Sequence, residues 1–542
     1  MTILESTKNW FRENILDLFL EIKISFFPPL MVYMAAGISG LTSIVGTFYV
    51  KERLGLSAEF LAALGFWAGL PWALKMPVGH LIDLIWKWKG LIVYLGASLI
   101  AASLSIMIML LSYTQAMSSI ATLESWFVLA TLLAPIGYVL QDVVADAMTV
   151  EAVPRVETDG SKINAHRRKS MHTTMQTLGR VAIIGGGIFV AIINMIVMRG
   201  VNELSEFEKA EAYLFVYQLG LIIPIVSILG VILAEALKRR DKLKLQKTGL
   251  SDTDINNILE RGDVPKPDVN WWILGGGLGF SLITVSIGLG NFSVGQEVIF
   301  CLSMIIVIFL ISRIIKELDT EAQKILVGTA ILIFVYRAMP TPGAGATWWM
   351  IDELKFDQEF LARLSFIAAC LALVGMFIFR RFMAEKSITY VIGFLTVAGT
   401  ILSIPIIGMY FGLHEWTARL TNGVIDARFI AMIDTALESP LGQVAMIPML
   451  AWIANSAPEK LKATFFAIMA SFANLALSAS QLGTKYLNQF FTVSREVSQN
   501  GEIVIPANYS ELGLLLISVS IIGFCIPMLT ILYLRFSRFK NA

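Results

Sequence analysis

Apolar positions run through this chain in long blocks, not in alternation. Fourteen blocks stand out, roughly 28–50, 58–78, 91–112, 125–148, 173–197, 213–235, 271–290, 297–314, 325–348, 360–379, 388–411, 441–456, 463–484 and 512–534. A helix needs about 20 apolar residues to cross a bilayer, so each block is expected to be one transmembrane helix. The first block starts too late and is too long to be a cleavable signal. Residues 9–27 differ: Phe11, Ile15, Leu18, Phe19, Ile22 and Phe26 fall on one stripe, opposite Glu13, Asp17 and Glu21. That amphipathic pattern predicts a helix lying on the membrane surface ahead of the first span.

Composition agrees with the pattern. Of 542 residues, 56% are hydrophobic and only 15% charged, and the mean hydropathy is +0.71. Soluble domains carry about 25% charged residues. An all-α polytopic membrane protein of about 14 spans is expected, and a disordered chain, a nucleic-acid binder or an ordinary cytosolic enzyme is excluded. A net charge of +1 points to no polyanionic partner. Cys301, Cys370 and Cys525 lie far apart in apolar runs and read as small buried hydrophobes. His80, His166, His172 and His414 have no ligand spacing, so neither a metal site nor a cofactor is expected. With a cytoplasmic N-terminus, the inside segments hold 29 of the 42 Lys and Arg residues and the outside segments 9. Both termini are therefore expected in the cytoplasm. The bacterial inner membrane is the default location, and a monomer is expected.

Residues 50–66 (VKERLGLSAEFLAALGF) and 350–366 (MIDELKFDQEFLARLSF) match at seven of 17 positions with a constant offset of 300, including Glu59/Glu359 and Phe60/Phe360. Each follows the first helix of a unit. Two homologous halves in parallel orientation are similar to the design of major facilitator transporters. The predicted layout is a cytoplasmic segment 1–27, a six-helix half 28–235, a basic loop with two additional helices 236–324, and a second six-helix half 325–542.

Ionisable groups inside spans cost about 2.5–3.5 kcal/mol each to insert, so they mark sites. Asp142 and Asp146 end the fourth span at an i,i+4 spacing, on one helix face. Paired carboxylates suit proton coupling, or a ligand with adjacent N–H donors. Glu151 lies about half a turn away from that pair. Lys75 sits between Pro71 and Pro77 in the second span, able to bind an anion, pair with either carboxylate, or snorkel to the interface. Gly79 and Asp83 with Lys87 and Lys89 resemble the gating loop that major facilitators carry between their second and third helices. The fifth span holds Gln176 and Arg180, then Gly185, Gly186 and Gly187, which read as packing glycines. The ninth span carries Arg337 before Pro340, Pro342 and Gly343, a breakable stretch of the kind that lines transporter gates. Trp348 and Trp349 follow, as ligand-stacking or interfacial aromatics.

The segments LPWALKMPVGHLID (70–83), QDVVADAMTVE (141–151), AMPTPGAGATWWMIDELKFDQEFLARL (338–364) and GQVAMIPMLAWIANSAPEKLKATFFAIMASFANL (442–475) resemble the folate–biopterin transporter family of the major facilitator superfamily. Met76 departs from the family pattern, where proline follows the lysine. The resemblance implies a transporter, not an enzyme, moving folates, pterins or a related small organic anion by alternating access, with protons as the candidate coupling ion. Asp142 or Asp146 would accept a pterin N–H pair, and Lys75, Arg180 or Arg337 would hold a carboxylate tail. Gln176 would assist, while Gly79, Asp83, Glu151, Pro340, Pro342 and Gly343 would gate. The Lys75 and Asp142/Asp146 pieces are also similar to muropeptide permeases, which leaves another amphipathic solute as the alternative cargo.

Overall fold

The computed structural model describes residues 22–50, 54, 56–73, 75–153, 163–247, 255, 269–290, 292, 294–316, 319–379, 382–383, 386–442, 444, 449, 462–495, 497–499, 502–537 and 539. The apolar blocks become helices because only a helix satisfies its own backbone in lipid. In chain order they are α1 (Phe27–Ile38, running on to Tyr49), α2 (Ala58–Ala73), α3 (Lys75–Leu84), α4 (Lys89–Ser112), α5 (Leu123–Ala152), α6 (Ala165–Val197), α7 (Glu206–Gly220) and α8 (Ile222–Lys247). Then come α9 (Trp271–Leu289), α10 (Gly295–Ile315), α11 (Thr320–Arg337), α12 (Ala344–Asp352), α13 (Gln358–Ile378), α14 (Ile388–Leu402), α15 (Ala427–Glu438), α16 (Lys462–Phe490) and α17 (Leu512–Phe536). A short antiparallel hairpin, β1 (Val497–Gln499) and β2 (Glu502–Ile505), lies between the last two helices.

Eleven stretches among the described residues are helical, long and apolar enough to cross a membrane. Their outer surfaces are greasy: Leu278, Leu282, Ile305, Leu514 and Leu529 are each about 60% exposed. Leaving such side chains in water forfeits about 1.5–3 kcal/mol apiece, so these faces belong against lipid. Cys301 and Cys525 are exposed on them as well, not buried as expected. In lipid an apolar residue need not turn inward.

Three expected elements change shape. The block 325–348 is broken into α11 and α12. Most of 441–456 lies outside the described residues. The segment after 235, expected as loop, continues α8 to Lys247, because Lys, Arg, Leu and Gln are good helix formers and cations suit a helix C-terminus. Of the predicted surface helix 9–27, residues up to Glu21 lie outside the described part. Ile22 and Phe26 pack against Ala152, Ile163, Met175 and Leu178.

The helices alternate between two faces. The terminal face carries Phe27 and Phe536; the far face carries Tyr49 and Leu512. The broadest helix contacts include α4 on α5, α1 on α6 and α8, α2 on α16, and α6 on α13. The last two pairs tie residues 28–235 to residues 325–542. Glycine makes the closest crossings possible. A Cβ on Gly186 would stand 2.7 Å from the Met34 carbonyl oxygen and 2.8 Å from Gly37 Cα, and one on Gly96 would stand 2.6 Å from the Gly137 oxygen.

The two related links at the far face fold alike. Ser57 Oγ accepts from the Phe60 N–H at 3.0 Å, and Asp357 Oδ1 from the Phe360 N–H at 2.7 Å, each capping the following helix. The caps stand at the same offset of 300 as the matched residues. Both links then reach across. Glu59 Oε1 accepts from Gln489 Nε2 at 2.5 Å, and Glu359 Oε2 from the Gly200 N–H at 3.3 Å. Gln358 Nε2 donates to the Tyr213 hydroxyl at 2.7 Å, buried. Ala362 is buried among Ile38, Leu41, Phe48 and Tyr213, and Ala58 among Trp349, Phe356 and Leu512. Nearby the Tyr509 hydroxyl donates to Asp352. Burial and that carboxylate hold the phenol well above its ordinary pKa, so it stays a donor.

Gly186→Ala should lower the melting temperature of the purified protein, since overpacking costs about 1–3 kcal/mol. Gly185→Ala, where a Cβ meets nothing within 4 Å, should leave it unchanged or raise it. Equal shifts for the two would refute the close-crossing account.

Candidate functional site

The second and fourth spans cross where their charged residues meet. Lys75 opens α3, just after Pro71 and just before Pro77. Its Nζ donates to Asp142 Oδ2 at 2.5 Å and to Asp146 Oδ2 at 2.7 Å. The i,i+4 spacing on α5 lets one ammonium bridge both carboxylates, and it does not snorkel. Tyr33 on α1 completes the cluster, its hydroxyl donating to Asp146 Oδ1 at 2.6 Å. Gly179 makes room for the Tyr33 ring: a Cβ there would lie 2.9 Å from Cε2. Arg180, the next residue on α6, has no direct partner among the described residues. It follows Gly179, which abuts the Tyr33 ring. Three helices, α1, α3 and α5, thus bring one ammonium, one phenol and two carboxylates together.

The two carboxylates are not equivalent. The Asp142 side chain is 17% exposed and the Asp146 side chain 45%, with Lys75 at 18%. Asp146 also has both oxygens engaged, one by Lys75 and one by Tyr33. It is the more exposed of the two carboxylates.

The other expected site residues are placed elsewhere. Gln176 lies on α6, its side chain outside the described part. Arg337 is apart from the Lys75 cluster: its Nε donates to the Ala473 carbonyl at 3.0 Å and Nη1 points to Met449 Sδ at 3.9 Å. Glu151 pairs with Lys89 at 2.7 Å, and that ammonium also sits 4.4 Å from the Trp86 ring centroid, at the terminal face. Asp83 is half-buried in the same region. Gly79 is not demanded by packing, since a Cβ would meet only Val143 Cγ1, at 3.8 Å.

The break after Arg337 is held by α16. Ser480 Oγ donates to the Met339 carbonyl at 2.6 Å, the Thr341 N–H donates to Thr484 Oγ1 at 2.9 Å, and Asn488 Nδ2 donates to the Pro342 carbonyl at 3.2 Å. Gly343 takes φ +76°, which glycine adopts without strain. Non-helical backbone at this depth survives because the neighbouring helix satisfies it. Trp348 lines a cavity of about 260 Å³ together with Thr47, Leu61, Phe127 and Thr347, while it and Trp349 are otherwise enclosed. They are 1% and 4% exposed, in the far-face core, with the Arg495 guanidinium 5.5 Å from the Trp348 ring.

A bundle of long apolar helices with this fold is an integral multi-pass membrane protein. The chain belongs to the BT1 family, whose model matches residues 36–540. It is 21% identical over 494 residues to a folate-biopterin transporter of Synechocystis sp. (strain ATCC 27184 / PCC 6803 / Kazusa), covering 89% of this chain and 78% of that one. A putative folate transporter 2 of Plasmodium berghei (strain Anka) is 25% identical over 180 residues, covering 32% of this chain and 36% of that one. The fold is similar to that of a POT family transporter in complex with 5-aminolevulinic acid, with a TM-score of 0.61, 12% identity and coverage of 94% and 95%. A peptide transporter POT in complex with sulfate gives 0.55, 14% identity and coverage of 97% and 96%.

Lys75→Ala leaves two carboxylates facing each other without their cation. Breaking a pair of this kind costs about 3–5 kcal/mol. Lys75→Ala should therefore lower the melting temperature more than the double variant Lys75→Ala/Asp142→Asn. Tyr33→Phe should cost about 1.5–3 kcal/mol, the worth of a hydrogen bond to a charged group. Additive losses in the first pair would sink the bridging account.

Proposed function

We propose that the chain is a secondary carrier of folates, pterins or a closely related organic anion. It works by alternating access, with residues 28–235 and 325–542 as the rocking halves. The observation that carries this reading is the Lys75 bridge, a cation shared by two carboxylates inside apolar helices, one of which stays 45% exposed. Such a cluster is expensive to keep in a bilayer, and a polar cargo that enters it repays the cost. The names of the relatives support a folate or pterin cargo.

The division between the carboxylates supplies the mechanism. Asp142 is the buried counter-ion that retains Lys75. Asp146 is the exchanging group. When a pterin N–H pair or a proton takes Asp146, Lys75 loses one of its two partners and turns to an anionic tail, with Arg180 beside it. Charge-assisted bonds of this kind, each worth about 1.5–3 kcal/mol, add up to micromolar affinity with no cofactor. Proton coupling then follows from competition for one carboxylate. The terminal face is read as cytoplasmic and the membrane as a cell's inner membrane, from the Lys and Arg bias. The Glu151–Lys89 pair stands at that face as a gate contact, and the seams at Glu59 and Glu359 close the opposite one. The chain acts as a monomer.

Folic acid at 100 times its dissociation constant should stabilise the purified protein by about 2.7 kcal/mol, read as a raised melting temperature. Asp146→Asn should remove that shift and cut folate uptake by roughly 10-fold to 100-fold, the worth of one charge-assisted bond. Asp142→Asn should chiefly lower stability. A shift with muropeptides and none with folates or pterins would replace the cargo. Unchanged folate uptake by correctly inserted Asp146→Asn and Lys75→Ala proteins would discard the site.

A further inference from the structure

The two helices between the halves, α9 and α10, are attached to the rest of the chain unevenly. At the far face they share one hinge. Gln296 Nε2 donates to the Ala63 carbonyl on α2 at 2.9 Å, while Glu297 Oε1 accepts from Lys485 Nζ on α16 at 3.1 Å and from the Tyr486 hydroxyl. Phe66, Leu70, Phe280, Ile299 and Leu482 form a single buried cluster there, drawn from α2, α9, α10 and α16.

Towards the terminal face the two legs follow different hosts. α9 stays on α3: a Cβ on Gly277 would stand 2.5 Å from Pro77 Cγ, and the Asn270 N–H donates to His80 Nε2 at 3.0 Å. α10 stays on the second half, where Val307 is buried with Leu326, Leu332, Ile468 and Met469. One hairpin therefore stands with a leg on each side of the seam between α2 and α16.

We propose that the hairpin 271–315 is a two-legged clip that couples the halves. Its hinge holds α2 and α16 together at the far face, and its legs close and part at the terminal face as the halves rock. Helices are stiff, and each leg is fixed to its host by close backbone packing or buried apolar contact. A rotation of the halves about the far seam must then change the leg separation at the terminal face and leave it nearly constant at the hinge. The clip accordingly favours the state in which the far face is shut. This rests on the alternating-access reading and adds a moving part to it.

Spin-label distances in the full-length protein test it, with Cys301, Cys370 and Cys525 replaced by serine. Three pairs of exposed positions serve: Trp88 and Phe536 for the halves, Trp272 and Phe309 for the legs, Val285 and Val298 for the hinge. Glu59→Ala/Glu359→Ala removes one acceptor from each far-face contact, α2 with α16 and α13 with the end of α6, and Ala362→Trp wedges the place where α13 meets α1 and α7 as a second route. The expected result is that the half pair and the leg pair both shift to shorter distances while the hinge pair holds. A half pair that shortens with an unmoved leg pair overturns the clip and leaves the carrier reading standing. A half pair unmoved in both variants overturns rocking, and the clip with it.

Discussion

The charge held by Lys75 is the constraint on which the polar interior depends. A lone ammonium at this depth would be intolerable, and so would two bare carboxylates 4 residues apart on one helix face. Each removes the other's penalty only if α1, α3 and α5 keep a fixed crossing. The glycines at 37, 179 and 186 let α1 and α6 approach closely and so seat Tyr33, and those at 96 and 137 do the same for α4 and α5, the helix that carries both carboxylates.

The bundle and the charged part of the site were legible in the sequence because charge in an apolar run is a strong signal. Asp142, Asp146 and Lys75 stand out for that reason, and the i,i+4 spacing already placed the carboxylates on one face. Tyr33 could not be found this way. A tyrosine in a span is cheap to bury and common at interfaces, and only the fold shows that its hydroxyl meets Asp146 across 113 residues of sequence. Ser480, Thr484 and Asn488 were silent for the same reason. Their spacing of four along α16 makes a polar stripe, and with the Pro340–Gly343 break a careful reader could have asked what satisfies its carbonyls. Arg337 looked like a site residue on charge alone, but a backbone carbonyl of α16 occupies it. Of the fourteen expected spans, the block 325–348 is divided between α11 and α12, and most of 441–456 lies outside the described residues.

The internal repeat earns a physical meaning from the caps. Ser57 and Asp357 differ in side chain yet perform the same act, accepting the N–H three residues on and starting a helix. The glutamates two residues beyond each cap then reach over the far seam in mirrored fashion, one to α16 and one to the end of α6. Within the match Glu59 and Glu359 are the one polar pair and both serve as cross-seam acceptors, the other six positions are apolar, and the caps agree in act but not in residue.

This symmetry stops at the charges. The Lys75 bridge draws all its members from residues 33–146, and the matching depth of the other half offers Arg337 bound to a carbonyl and a helix break bound to hydroxyls. A bundle of two related parts with one charged centre has a built-in division. In the proposed carrier, one part would hold the group that exchanges partners, and the break in the other would bend by remaking its neutral hydrogen bonds to α16. Remaking neutral hydrogen bonds costs little when donor and acceptor are both restored, whereas moving an unpaired charge through apolar surroundings costs a great deal. On that proposal rocking is cheapest when every change of charge partner is confined to one part and the break bends in the other, and the residues are distributed in that way.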